Sequence, residues 1–426
     1  MSNVRGRAQI VFACMLSALG ANAAHAAISS SSYGRFGKVA IDRPATTPTS
    51  VAIVISGDDG WNMGVADLSH ALAATGAAVI GVDSRHYFAE LAKAHAANPR
   101  GCASLAGDFE NLSHAVQHEL GVADYHVPVL VGLSSGATLV YALLAQAPPG
   151  TFAGGISVSF RTGLPLPAPP CKAPWILPRG KLDPVVRVSL MGQLVAGYRQ
   201  LAKEADPPLA AATEVRDLPL TEVAAAINKG DTLAVLLTGD GGWAGIDRQL
   251  SARLAALGIP VAGVNSLKYY WSAKTPETAA TDVTRVARYY FNLWHKQRLI
   301  LIGYSFGADV LPFIYNRLPA DLRSHVGTVN LLGLSATATF EVHVSEWLPG
   351  SAPDGLATTP EIARMVGAAI LCLHGEGERD SLCDRLPASQ VTARQIGTGH
   401  HFSGDYAGIA DSIIDFDAKR RVTVAH

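Results

Sequence analysis

The segment V-A-I-V-I-S-G-D-D-G-W at 51–61 recurs as L-A-V-L-L-T-G-D-G-G-W at 233–243, an offset of 182 residues. At the same offset V-I-G-V-D-S-R-H-Y-F (79–88) falls on V-A-G-V-N-S-L-K-Y-Y (261–270) without a gap. A third feature follows in each copy: G-L-S-S-G (132–136) after V-P-V-L-V, and G-Y-S-F-G (303–307) after R-L-I-L-I. The second serine lies 11 residues earlier than the offset requires, so that copy is shorter there. Two blocks and a turn in the same order indicate duplication of a domain-sized unit, far longer than a solenoid repeat. A chain of 426 residues has room for two such units.

Each copy alternates short apolar runs with longer segments of helical periodicity. In the second, T-L-A-V-L-L-T reads as a strand and D-R-Q-L-S-A-R-L-A-A-L as a helix ending at Gly258. I-P-V-A-G-V is a strand, the segment before Trp294 a long helix, and V-G-A-A-I-L-C-L-H a late strand. This alternation predicts an α/β fold: two tandem hydrolase-like domains, each a parallel sheet with helices on both faces. The predicted organisation is a leader at 1–26, a first domain at 27–184, a connector at 185–230 and a second domain at 231–426.

The leader has Arg5 and Arg7, an apolar stretch, and the small-x-small sequence A-H-A at 24–26, the pattern of a cleaved export signal. A bacterial periplasm is the expected destination, and the mature chain is expected to be soluble. Cys102, Cys171, Cys372 and Cys383 remain after cleavage, enough for two disulfides in an oxidising compartment. Cys372–Cys383 is the expected pair because it closes a short loop. Charged residues are 16% of the chain and the formal net charge is −1, which excludes a nucleic-acid partner bound through a basic surface.

A serine between two glycines at a sharp strand-to-helix turn is the arrangement of a nucleophile elbow, whose partners follow in the order serine, acid, histidine. The second copy supplies that order. H-G-E-G-E-R-D-S-L-C (374–383) is rich in carboxylates, and I-G-T-G-H-H-F-S-G-D-Y (396–406) presents two histidines on a glycine-rich loop. Ser305 is the candidate nucleophile, Asp380 the acid with Glu378 and Glu376 as rivals, and His400 the base with His401 behind it. The oxyanion donors are expected to be the N–H of Phe306 and of Asp240 or Gly241. Neither a cofactor nor a metal is expected.

The first copy has the elbow at Ser134 and a possible acid at Asp183, but no histidine between His126 and His295. It reads as a degenerate hydrolase fold retained for packing or binding; His86 is the one oddly placed alternative within it. His114 and His118 lie four apart on one helix, a metal-ligand spacing with no evident third ligand, and are expected on a solvated face. The segment 335–365, with Phe340, Trp347 and Leu348, reads either as a cap facing a lipid or as an ordinary connection packed in the core. Glu341 and Glu346 also lie within it.

The second copy resembles the AcvB/VirJ bacterial virulence family through I-G-Y-S-F-G-A-D-V-L-P-F (302–313), L-T-G-D-G-G-W (237–243), F-E-V-H-V-S-E-W-L (340–348), D-S-L-C and G-H-H-F-S-G-D-Y. The likeness is specific over about 230–415, and the extra N-terminal half is the AcvB-like arrangement. The resemblance implies export to the periplasm and hydrolysis of aminoacylated phosphatidylglycerol at the membrane surface, releasing lysine or alanine, with Ser305 as nucleophile, His400 as base and Asp380 as acid. With that substrate, Glu341 and Glu346 are candidates to meet the ammonium of the amino acid. The family commonly has Gly-Gly before the paired histidines, where this chain has Thr398-Gly399. Two other readings are an exported esterase or peptidase acting on a soluble substrate, and a non-enzymatic secretion or virulence accessory protein.

Overall fold

A computed structural model describes residues 29–424, apart from 148–149, 161–165, 172–184, 189–190, 206–213, 226, 228, 244 and 343–354. The leader, Asp183, Glu346, Trp347 and Leu348 therefore lie outside the described residues.

The first half runs β1 (Ser29–Tyr33), β2 (Gly37–Asp42), β3 (Ser50–Ile55), α1 (Met63–Ala73), β4 (Ala77–Val82), α2 (Ser84–Ala97), α3 (Leu105–Glu119), β5 (Val129–Leu133), α4 (Ser135–Gln146), β6 (Gly154–Val158), β7 (Val185–Val188) and α5 (Met191–Ala205). Its sheet has the order β1-β2-β4-β3-β5-β6-β7, parallel from β4 to β7 with an antiparallel edge at β1 and β2. Strand β4 is buried along its whole length, as a parallel strand covered on both faces must be. Alternation within β3 assigns the faces. Val51, Ile53 and Ile55 pack with residues of α2, α3 and α4, whereas Ala52 and Val54 pack with α1 and α5.

The second half runs β8 (Leu220–Val223), β9 (Thr232–Leu237), α6 (Gly245–Ala256), β10 (Val261–Val264), α7 (Ser266–Tyr269), α8 (Pro276–Trp294), β11 (Arg298–Tyr304), α9 (Phe306–Arg317), α10 (Ala320–Ser324), β12 (Val326–Leu332), β13 (Thr337–Ala338), β14 (Leu356–Ala357), α11 (Thr358–Arg364), β15 (Ile370–Glu376), β16 (Val391–Thr398) and α12 (Tyr406–Val424). The main sheet has the order β16-β15-β12-β11-β9-β10-β8, with β8 antiparallel. Leu233, Val235 and Leu237 face α8 and α9, while Ala234 and Leu236 face α6 and α12. The local signals agree with the tertiary ones: Thr275 caps α8 by accepting the N–H of Thr278, and Pro276 occupies its first position.

The duplication is thus structural, and the expected α/β class with helices on both faces holds for both halves. The stretch 185–230 differs from the expected connector. Strand β7 completes the first sheet, α5 buries Leu194, Tyr198 and Leu201 on it, and β8 belongs to the second sheet. Both disulfides form: Cys372–Cys383, as expected, and Cys102–Cys171.

The halves share a packed interface. Trp271 donates its indole N–H to the carbonyl of Val122 at 2.7 Å and packs on Tyr125 and His118. His118 Nε2 lies 3.1 Å from the carbonyl oxygen of Val342, and His114, only 1% exposed, stacks edge-on to Tyr125. The expected solvated face is therefore an interface: the aromatic surface of the second half covers both histidines. Among the described residues no group of His, Cys, Asp and Glu is placed to hold a metal.

Burial, assisted by nearby His118, pushes the His114 imidazole down to about 3. Between that value and the ordinary 6.5 the unfolded chain binds the proton and the folded chain does not. Stability should therefore fall as pH drops below about 6.5, by at most about 1.4 kcal/mol per pH unit. Melting at pH 7 and pH 5 checks this: His114→Phe should lose less stability between the two than the wild type.

Candidate active site

In the second sheet the chain leaves β9 for β10 on one side and later returns to place β11 on the other. Such a switch point opens a crevice at the carboxyl ends of the strands. The turn 238–243 leaves β9 there and Ser305 leaves β11.

Ser305 adopts φ 51° and ψ −119°, a backbone conformation that L-residues rarely accept. The flanking glycines permit it. A Cβ on Gly303 would stand 2.3 Å from the carbonyl oxygen of Gly307, and one on Gly307 would stand 2.3 Å from that of Leu237. The elbow therefore presses against the end of β9 with no room for side chains.

His400 follows β16, and its Nε2 lies 2.8 Å from Ser305 Oγ. Its Nδ1 lies 2.5 Å from Glu378 Oε1. An ionised carboxylate only accepts hydrogen bonds, so Nδ1 carries the proton and Nε2 presents its lone pair to the serine. Burial alone would raise the Glu378 carboxyl, whose side chain is 8% exposed. The hydrogen bonds from His400 and the Gly375 N–H, with the positive potential of the nearby histidines, outweigh burial and hold it below the usual carboxylate range.

Glu378, not Asp380, is thus the residue against the histidine. The tight turn after β15, closed by the Glu378 N–H donating to the Gly375 carbonyl, folds the Glu378 side chain back under the strand end. Glu376 and Asp380 are exposed, and the Asp380 carbonyl accepts from Arg385. His401 points elsewhere: its Nδ1 lies 3.0 Å from the Tyr304 hydroxyl. The Cys372–Cys383 disulfide ties the buried strand to the far end of the loop that carries Glu378. Closing so short a loop is worth about 3 kcal/mol in the chain-entropy account. A Cys372→Ala/Cys383→Ala variant should be destabilised by about that amount in denaturant titration.

Phe306 opens α9, so its N–H has no acceptor within the helix. Asp240 and Gly241 line the same cavity of about 480 Å³ as Ser305 and His400, while Phe306 is not among its lining residues. Phe340 packs in the core against Tyr270 and Phe313, and Glu341 does not line this cavity.

The first half repeats the elbow, but among the described residues no histidine is hydrogen-bonded to its serine. Ser134 has φ 52° and ψ −114°, but its Oγ donates to Asp58 Oδ2 at 3.0 Å. Asp58 is the counterpart of Asp240 at the 182 offset. His86 packs beside Gly37 instead of reaching Ser134.

Strand order, strained elbow and a serine–histidine–carboxylate chain define the second half as an α/β hydrolase. The model of the bacterial virulence protein VirJ matches residues 49–152 and 231–421, and the chain belongs to that family. The two matched stretches are the two halves of the duplication. Among solved structures it is similar to Est1E from Butyrivibrio proteoclasticus (12% identity, TM-score 0.36, 48% of this chain and 94% of that one). It is also similar to MenH from S. aureus (11%, 0.35, 47% and 98%) and to the monoacylglycerol lipase of Paleococcus ferrophilus (12%, 0.32, 47% and 99%). Each spans about half of this chain. No curated protein matches the chain.

Proposed function

We propose that this protein is a periplasmic serine ester hydrolase that releases the amino acid from lysyl- or alanyl-phosphatidylglycerol. The observation that carries the hydrolytic part is the hydrogen-bonded chain from Ser305 Oγ through His400 to Glu378, with Ser305 and His400 lining one cavity. Membership of the VirJ family supports the aminoacyl-lipid substrate. Two disulfides suit an oxidising compartment. No helix among the described residues is long and apolar enough to cross a membrane, so the lipid would be met at its surface.

His400 Nε2 takes the proton of Ser305 as Oγ attacks the aminoacyl carbonyl carbon. The oxyanion is stabilised by the Phe306 N–H and the 240–241 turn. Collapse expels the glycerol oxygen of the lipid, which leaves as a hydroxyl with the proton from His400. Water, deprotonated by His400, then attacks the acyl-enzyme and frees the amino acid, returning the proton to Ser305. Glu378 holds the imidazole in the productive tautomer and stabilises it when charged.

The test is amino acid release from vesicles containing lysyl- or alanyl-phosphatidylglycerol. Release by the wild type and none by Ser305→Ala is the expected result. Cleavage of simple esters with no release from either lipid would replace the lipid substrate with a soluble one. No Ser305-dependent hydrolysis of any ester would leave the accessory-protein reading.

A further inference from the structure

The cavity at Ser305 is not built by the second half alone. Ser104, Ala106, Gly107 and Glu110 of the first half line it from the start of α3. That turn is held in place. The Gln146 side chain accepts the N–H of Ala106 and donates to the carbonyls of Ala103 and Cys171, while the Cys102–Cys171 disulfide fastens the segment just before the helix.

We propose that Glu110, presented by the first half, is the specificity-determining residue of this active site and, with Asp240 from the second half, receives the ammonium group of the acyl portion of the substrate. The proposal rests on the ester-hydrolase reading above and adds a charge requirement to it. Three carboxylates, Glu110, Asp240 and Asp247, share the cavity with Ser305 and His400, and no lysine or arginine lines it among the described residues. A cavity that must hold the scissile ester thus carries carboxyl groups from both domains. Glu110 is close enough to Asp240 to feel its charge; burial first, and then that repulsion, push the Glu110 carboxyl up to about 8. A cation seated between the two would offset both effects. The acyl portions of lysyl and alanyl esters carry such a cation, whereas a plain fatty acyl group does not. On this reading the first half lost its own chemistry and became a wall of its neighbour's active site.

The experiment compares ethyl lysinate with ethyl hexanoate, which has the same carbon chain without the amines, using wild type, Glu110→Gln and Glu110→Asp. Loss of a charge-assisted contact should lower kcat/KM for ethyl lysinate about tenfold to a hundredfold in Glu110→Gln, chiefly through KM, with partial recovery in Glu110→Asp. Hydrolysis of ethyl hexanoate should change less than about twofold on the same principle. Equal losses on both esters, or no loss on either, would overturn the proposal. Binding of ethyl lysinate to Ser305→Ala by calorimetry, with and without Glu110→Gln, separates the two readings. Binding that weakens at least tenfold supports the charge requirement even if the lipid is never cleaved. No binding, or binding indifferent to Glu110, overturns it even if the lipid is cleaved.

Discussion

Glu378→Gln is expected to lower kcat/KM for ester hydrolysis by about 10²–10⁴, because the amide can donate to His400 Nδ1 and so favour the wrong tautomer. Asp380→Asn should stay within about twofold of wild type, since that side chain lies on the exposed side of the turn and acts on no reacting group. Steady-state assays of a soluble ester by both variants decide the matter, and a large loss in Asp380→Asn alone would return the acid to Asp380. The pH profile gives a second readout. Glu378 is held below the usual carboxylate range. It therefore remains ionised as pH falls through 5, and the acidic limb of the wild-type profile should show no protonation at the ordinary carboxylate value. A protonation in that limb near that value would contradict the geometry.

The larger effect is expected at the nucleophile. Ser305→Ala should lower kcat by about 10⁴–10⁶, the range for removing a residue that acts as a unit with its base. Ser134→Ala should leave the rate within about twofold by the same reasoning, since Ser134 Oγ is engaged by Asp58 and, among the described residues, meets no imidazole. The pair is informative because the two serines have almost the same backbone torsions. A difference between the variants therefore measures the partners and not the elbow. Comparable losses in both would mean that the first half carries chemistry of its own.

Much of this was legible in the residues. The 182-residue offset announced two copies, and the strand-turn-helix pattern around Ser305 and the loop before His400 picked out two residues that the structure brings within hydrogen-bond distance. The acid was not legible, because Glu376, Glu378 and Asp380 alternate along one loop and only the turn back to Gly375 decides which carboxylate folds inward. The end of the first domain was obscured for a similar reason: four residues of β7 read as part of a connector until their pairing with β6 is seen. His114 and His118 looked like one exposed face because the Trp271 that covers them lies about 150 residues away in the chain. Glu110 carried no motif at all. Its place in the cavity depends on how the halves dock, which no local pattern encodes.

The two sheets also end differently, and this bears on whether the first half can regain activity. His400 stands at the exit of β16, the strand beyond β15, whereas among the described residues the first sheet stops at β7, the counterpart of β15. Among the described residues the first half therefore shows no strand from whose end a histidine would approach Ser134. A point mutation does not supply a strand, so on that arrangement reactivation would need an insertion at a sheet edge. The divergence of the copies acts as a ratchet: once the last strand is absent, selection can reshape the first elbow and its surroundings for other uses without reopening the old reaction.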